Sequence, residues 1–490
     1  MVNRFWARLS AAILGGAACA AVAGCGAEEL ATCPEENLVR GVCAGVPAGD
    51  VCGGERCTAG VTCTSVIDVA SDDELTSAAQ AASDGACIAV RSGRYGVVTV
   101  PGGVSLLGRS ADAVEIEGIV LEAGDGAVVR GLKVGREGVT VQEGATGVRI
   151  DSVRVIGESD YEHDGIKLGP GSSIAIVASE IANAGHVGIF ATDADVTLER
   201  SIVSGAQRGA VEMLGRGCDE RCSCTSRPAL EVRSSVIRDN RVIGVSLHGA
   251  TASLEGVDVI RTREGVASLA GKFGGGVSAA GCSGILGARQ VRVIDSVSFG
   301  ILVDGSTAML GDKGEDDSIE ISRNTLGLWI QNVRQPDGDD CAMHHDERCN
   351  VTLHNGKLDG NFGVGIGVTG ESRGIILCRS AITATAFSLL PVFDENDALA
   401  VRDVGDGVDW LGDSEVRIDE LAFSGNARQS LLLDGPVQGD SYIGRIYIAA
   451  GDEPPVQQSY SRGDAQPEGM APPTVLDRRH VIPRSLEELP

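Results

Sequence analysis

"IAIVASEIANAGHVGIFATDADVTLERSIVSGAQRGAV", residues 174 to 211, decides the fold. It holds two strand-like runs, "IAIVASEI" and "VTLERSIV", 22 residues apart. Each is followed by a glycine opening a second apolar run, Gly188-Ile189 and Gly209-Ala210. Alternation sends every second side chain to one face of a strand. The turns are not two-residue hairpin turns, so the runs of one repeat cannot fold back on each other. Stacking each repeat on the one before buries all the inward rows and satisfies the backbone between rungs.

Both elements recur along the chain. The glycine element appears at Gly118, Gly138, Gly165, Gly188, Gly209, Gly244, Gly276, Gly300, Gly327 and Gly365. The other element has Ile150, Ile176, Leu198, Val232, Leu254, Val293, Ile321, Leu353, Leu377 and Ile418 as its third residue. The expected fold is all-β: a parallel β-helix of roughly twelve rungs, a rod on the order of 55–60 Å at the usual strand spacing. Three residues past the markers lie Ser179, Ser201, Ser235, Ser296 and Ser380, with Asn324 and Gly356. In register they form one structural ladder of small residues. Insertions at 212–229, 304–318 and 334–350 break one side of the repeat, and those at 157–164, 260–275 and about 384–414 the other. Ahead of the repeat, "SDDELTSAAQAAS" at 71–83 reads as a short helix, with Ser71 and Glu74 as its capping box.

On these residues the chain, from 71 to about 450, resembles the right-handed parallel β-helix superfamily of pectate lyases, polygalacturonases and alginate epimerases. The opening "DGACIAVRSGRYGVVTVPGGVSLLG" at 84–108 is similar too. The resemblance implies that the helix caps the open end of the coil. It is specific for fold and nearly silent on activity. The signatures of the three enzyme groups have no close match: "DYEHDG" shares only acids and a histidine with them.

Acidic residues outnumber basic ones 68 to 41, a net charge of −27. That disfavours nucleic acid, whose phosphates demand a basic surface. It suits a solvated extracellular surface or calcium. The first residues read as an export signal, with Arg4 and Arg8 before an apolar run at 9–23 that is short for a membrane span. "VAGC" at 22–25 resembles the lipobox of bacterial lipoproteins, which implies cleavage before Cys25 and lipidation of its thiol. Gly26 follows, not the aspartate linked with inner-membrane retention, so an outer-membrane anchor is expected. The expected organisation is a signal at 1–24, a cysteine-rich tether at 25–66, the coil at 67–450 and a Pro-rich charged tail at 451–490.

An exported chain can form disulfides. The candidates are Cys33, Cys43, Cys52, Cys57 and Cys63 in the tether, Cys87 as a sixth partner, then Cys218, Cys222, Cys224, Cys282, Cys341 and Cys349. No metal site is assigned. His344 and His345 between Cys341 and Cys349 offer transition-metal ligands, and "DKGEDD" at 312–317 and "DEND" at 394–397 offer weak calcium ligands.

Register also locates a candidate site. His163 and His186 each lie two residues before a repeat glycine, so they should be neighbours on adjacent rungs, with Arg136 one rung earlier and Gln207 one rung later. Glu137, Asp160, Glu162, Asp164, Lys167, Phe190 and Arg208 complete an outward cluster. Its cations could hold a sugar carboxylate and a histidine or lysine could abstract a C5 proton; Asp160 with Asp164 could serve hydrolysis. Trp410 could stack on a sugar or pack a long loop against the rod. Outward turns of a soluble coil are polar in any case. The leading expectation is therefore a lipid-anchored protein presenting loops to polysaccharide or a surface partner; the alternative is a polysaccharide lyase, epimerase or glycoside hydrolase.

Overall fold

Most turns of the coil are made of three strands joined by three corners. In the turn that begins at Asp195 these are Asp195–Glu199, the short strand Ile202–Ser204 and the long strand Gly209–Leu214. In the first turns one strand, as in Lys133–Val141, fills both the short and the long place. The computed structural model describes residues 33–47, 58, 60–217, 227–265, 274–281, 285–312, 318–333, 351–370, 372–386, 388–393, 399–411, 414–427, 429–434, 441–443, 446–448 and 456–459.

The first strands of successive turns form a 15-stranded parallel sheet from Ser65–Val69 to Tyr442–Ile443. Short strands pair with short and long with long, all parallel; Ile176 stands beside Leu198 and then Val232, and Ile189 beside Val211 and then Val245. Inward residues of all three ladders merge into one core. This is a parallel β-helix, right-handed as crossovers between parallel strands almost always are.

The corners bend through residues in the left-handed backbone region. At the first corner these include Ala178, Arg200 and Ser234, with φ of 46°, 49° and 47°. At the second they include Asn183, Gly205 and Asp239. Two buried ladders, not one, line these corners. Ser179, Ser201 and Ser235 each accept on Oγ the backbone N–H one rung below, at 3.0–3.1 Å. At the second corner Asn324 accepts from Ser296 N–H at 2.8 Å and Asn361 from Asn324 N–H at 3.1 Å. The Nδ2 groups of Asn240, Asn324 and Asn361 cap the carbonyls of Val203, Val293 and Ile321. Ser296 and Asn324 therefore leave the expected serine ladder. "VRVIDSVS" and "IEISRNTL" supply short strands, while Ile285–Arg289 and Thr307–Leu310 take the first-strand places. Alternation reads the same in all three ladders, so the sequence pattern could not separate them.

The coil is longer than its glycine markers. It begins at Ser65 and includes Asp406–Leu411, inside the stretch read as an insertion at 384–414. Val456–Ser459, within the expected tail, also pairs with the coil. Helix α1, Asp72–Ala81, follows Ser71, whose side chain accepts from Glu74 N–H, while Glu74 Oε2 accepts from Ala70 N–H at 2.7 Å. It buries Leu75, Ala78 and Ala79. Disulfides join Cys33 to Cys43 and Cys63 to Cys87. Cys25, Cys52, Cys57, Cys218, Cys222, Cys224, Cys282, Cys341, Cys349, His344 and His345 lie outside the described residues, as do most of 312–317 and all of 394–397.

Candidate functional site

The second corner broadens at 157–164, where Asp160, Glu162, His163 and Asp164 precede the long strand Ile166–Leu168. His186 N–H donates to the His163 carbonyl at 3.2 Å, and Arg208 N–H donates to the His186 carbonyl at 2.9 Å. The column is thus His163, His186, Arg208. Gln207 is not in it: its N–H goes to the Ala184 carbonyl and its amide to the Gly205 carbonyl. The expected register slips by one because Ile189 pairs with Val211, and Gly209 pairs with Val187. Ala210, not Gly209, therefore stacks on Gly188, and two adjacent small residues gave no means of choosing. Gly188 itself has no room for a side chain, since a Cβ there would stand 2.6 Å from the Ala210 carbonyl oxygen.

His186 is held at both ring nitrogens. Nδ1 lies 2.7 Å from Asp164 Oδ1, which also accepts Val187 N–H at 3.2 Å. Nε2 lies 3.1 Å from the Arg208 guanidinium. A guanidinium only donates, so Nε2 carries the lone pair and Nδ1 the proton, an assignment made from the partners. Asp164 is mostly buried, His186 is about one-third exposed, and Arg208 is exposed.

A second group adjoins this one. Tyr161 stacks on His163 with ring centroids 4.3 Å apart, and the Arg136 guanidinium sits 5.4 Å from the Tyr161 centroid. Arg136 pairs with Glu117 at 2.9 Å, and Glu137 lies 3.7 Å from His163 Nδ1 and accepts from the Tyr161 hydroxyl at 3.4 Å. Tyr161 and Glu117 were missed. Both carried a usable signal: Tyr161 lies two residues before His163, and Glu117 stands one residue before the repeat glycine Gly118 as Glu137 does before Gly138. Lys167 is exposed and stands beside Phe190 on adjacent rungs, as the spacing predicts.

Other candidates are not gathered here. Asp160 accepts from the Ser159 hydroxyl while Asp164 holds His186, so the two carboxyls share no partner. Glu162 stays exposed on the surface. Trp410 lies on a long strand and is buried in the core, with Nε1 donating to the Ser414 carbonyl at 3.2 Å. It neither faces a sugar nor packs a loop: its place on the strand, Val408 beside Ile366, turns it inward. A cavity of about 510 Å³ lies at the far end of the long strands, between Asp193, Asp195, Arg216 and Arg227. Its carboxylates serve the backbone, accepting from Arg216 and Ala229 N–H, both at 2.8 Å. Among the described residues no group of three or more His, Cys, Asp or Glu could hold a metal ion.

No family model matches the sequence, and neither does any curated protein. Among solved structures, the chain is similar to the A-module of mannuronan C-5 epimerase AlgE4 from Azotobacter vinelandii. Identity is 14%, over 80% of this chain and 96% of that one, with a TM-score of 0.34. It is similar to the catalytic unit of a GH87 alpha-1,3-glucanase from Streptomyces thermodiastaticus at 13% identity, over 87% and 71%, with a TM-score of 0.44. It is also similar to an alginate lyase from Paenibacillus at 12% identity, over 78% and 99%, with a TM-score of 0.26. Likeness at this level carries no argument about activity; the fold stands on the strand register.

Proposed function

We propose that this protein is exported, anchored by a lipid on Cys25 in the outer membrane, and binds an acidic polysaccharide on its long-strand face around His186. The observation that carries the reading is the Asp164–His186–Arg208 chain. It orients an exposed guanidinium through the His186 ring, with one guanidinium nitrogen directed at Nε2. On the same rungs Lys167 adds a cation and Phe190 a ring. A guanidinium and an ammonium hold carboxylates, and a ring face covers the apolar face of a sugar. The test is calorimetry of the mature protein with polygalacturonate, alginate and neutral dextran. Binding to the polyuronates alone is expected. Arg208→Ala should weaken it by about 10- to 100-fold, the loss of a charge-assisted hydrogen bond. Equal affinity for dextran, or an unaltered Arg208→Ala, would remove the reading.

A second reading rests on the Asp164 contact alone. Asp164 orients His186, so a substrate carboxylate that drew Arg208 aside would bare Nε2 as a general base for a C5 proton. Ultraviolet absorbance of an unsaturated sugar product, lost in His186→Ala, is its measurement; a flat trace with every polyuronate removes elimination.

A further inference from the structure

Residues 33–47 do not stay at the N-terminal end of the rod. The Cys33–Cys43 disulfide closes a loop around the pair Leu38–Val39 and Val42–Cys43, and the loop lies on the outer face of the short strands. Val39 and Ala44 are buried against Ile202 and Val236. Gly45 N–H donates to the Arg200 carbonyl at 2.9 Å, Arg238 pairs with Glu36 at 2.6 Å, and Arg40 Nε donates to the Gln290 carbonyl at 3.2 Å. The seat is written into the outward column of that face. On successive rungs it runs Arg154, Glu180, Ile202, Val236, Asp258, Arg292, Glu320, Lys357. Arg154 pairs with Glu180, Arg292 with Asp258 and Lys357 with Glu320. Between Arg154 and Lys357 only Ile202 and Val236 interrupt the charges, and the loop covers both; beyond Lys357 the column goes on as Ala381 and Ala422.

We infer that this loop is a strap that fixes where the anchor leaves the rod, so that the protein lies along a lipid surface on its short-strand flank. The inference rests on the reading that Cys25 carries the lipid. Cys25 is eight residues before Cys33, at most about 28 Å of extended chain. The strap sits beside the seventh to tenth strands of the 15-stranded sheet, roughly 30 Å from either end at the usual strand spacing. A lipid under either end would consume the whole tether along the rod and leave none to enter the bilayer. The flank turned downward is also suited to the place. In a chain of net charge −27 its charges cancel pairwise, so it meets anionic headgroups with little repulsion. The outer side of the 15-stranded sheet and the face bearing Lys167 and Phe190 are turned away from the lipid.

The experiment measures height above the bilayer. Lipidated mature protein is placed in phosphatidylethanolamine–phosphatidylglycerol vesicles bearing an acceptor dye. A donor is attached through an azide-bearing amino acid at Val97 or Ala427, exposed positions near opposite ends. The two heights should agree within about 15 Å, whereas an upright rod would separate them by about 55 Å. A separation that large in acylated protein overturns the orientation. The strap is read separately in lipid-free Cys25→Ser protein: trypsin should cut after Arg40 at least tenfold faster in Val39→Asp than in its parent. Equally fast cutting in both overturns the strap. Mass analysis showing no acyl group on Cys25 overturns the anchor, and the orientation with it, and leaves the trypsin result to judge the strap alone.

Discussion

The outer face of the long strands has two halves built on one backbone. Its outward row runs Thr140, Lys167, Phe190, Glu212, Ser246, Ser278, Leu302, Trp329, Gly367, Asp409, one residue per rung. In the first half Lys167 is exposed and Phe190 and Glu212 are partly so. In the second, Leu302 and Trp329 are 1% and 3% exposed and join Ile243, Phe299, Leu326, Val364 and Leu411 in an apolar layer outside the core. Trp329 lies across Gly367, where a Cβ would stand 2.1 Å from its ring, and its Nε1 donates to Gln331 at 3.0 Å. The same lattice of positions is thus open around Lys167 and Phe190 and closed around Leu302 and Trp329, where even Asp409 at the end of the row is buried. A β-helix offers every rung as a platform, and the side chains placed there decide which rungs can meet a ligand.

That contrast can be broken at three points. The largest effect is expected in the closed half: Trp329→Ala removes a buried indole and should cost about 3–5 kcal/mol in urea unfolding, with polyuronate affinity unchanged. A loss under about 1 kcal/mol would mean that the upper layer is not packed. In the open half the balance reverses. Phe190→Ala should weaken polyuronate binding by about 2- to 10-fold, the worth of one ring contact, while stability moves by no more than about 1 kcal/mol. A stability loss as large as that of Trp329→Ala would erase the distinction.

The smallest effect is at the second corner beside that face, where Asp239 pairs with Arg261 and Arg263. The hydrogen bond from Arg261 holds its carboxyl below the usual carboxylate value, against burial and with help from both arginine charges. A depressed folded value gives stability that is present above the unfolded value of about 3.9 and lost as pH falls through the folded one. Asp239→Asn should therefore unfold at lower urea than the parent at pH 7, and the gap should close on acidification below about pH 4. Solvent screening keeps that gap under about 1 kcal/mol. A gap that widens in acid would contradict the pairing.

Much of this was legible beforehand because burial repeats. The spacing of Ile176, Leu198 and Val232 was enough to stack one ladder, and Lys167 beside Phe190 followed from glycine register alone. The helix start at Ser71 was legible because its cap is local. Most failures share one cause: a repeat pattern says that a strand is buried on one face, not which of three ladders it joins. That sent Ser296 and Asn324 to the wrong corner and left Trp410 outside the coil; Gln207 took the place of Arg208 for a different reason, a one-residue slip between the adjacent small residues Gly209 and Ala210.

The sequence by itself determined the parallel coil, its inward rows and the nearness of His163 to His186, since each follows from a period and from the demand that buried backbone be paired. Only the tertiary structure decided that Asp164 and Arg208 grip the two nitrogens of His186, that Tyr161 lies on His163, that half of an outward face closes on itself, and that the cysteine loop returns to Ile202 and Val236. Those contacts depend on which side chains the inserted residues at 157–164 and the N-terminal loop bring to a given rung, and neither segment repeats along the chain.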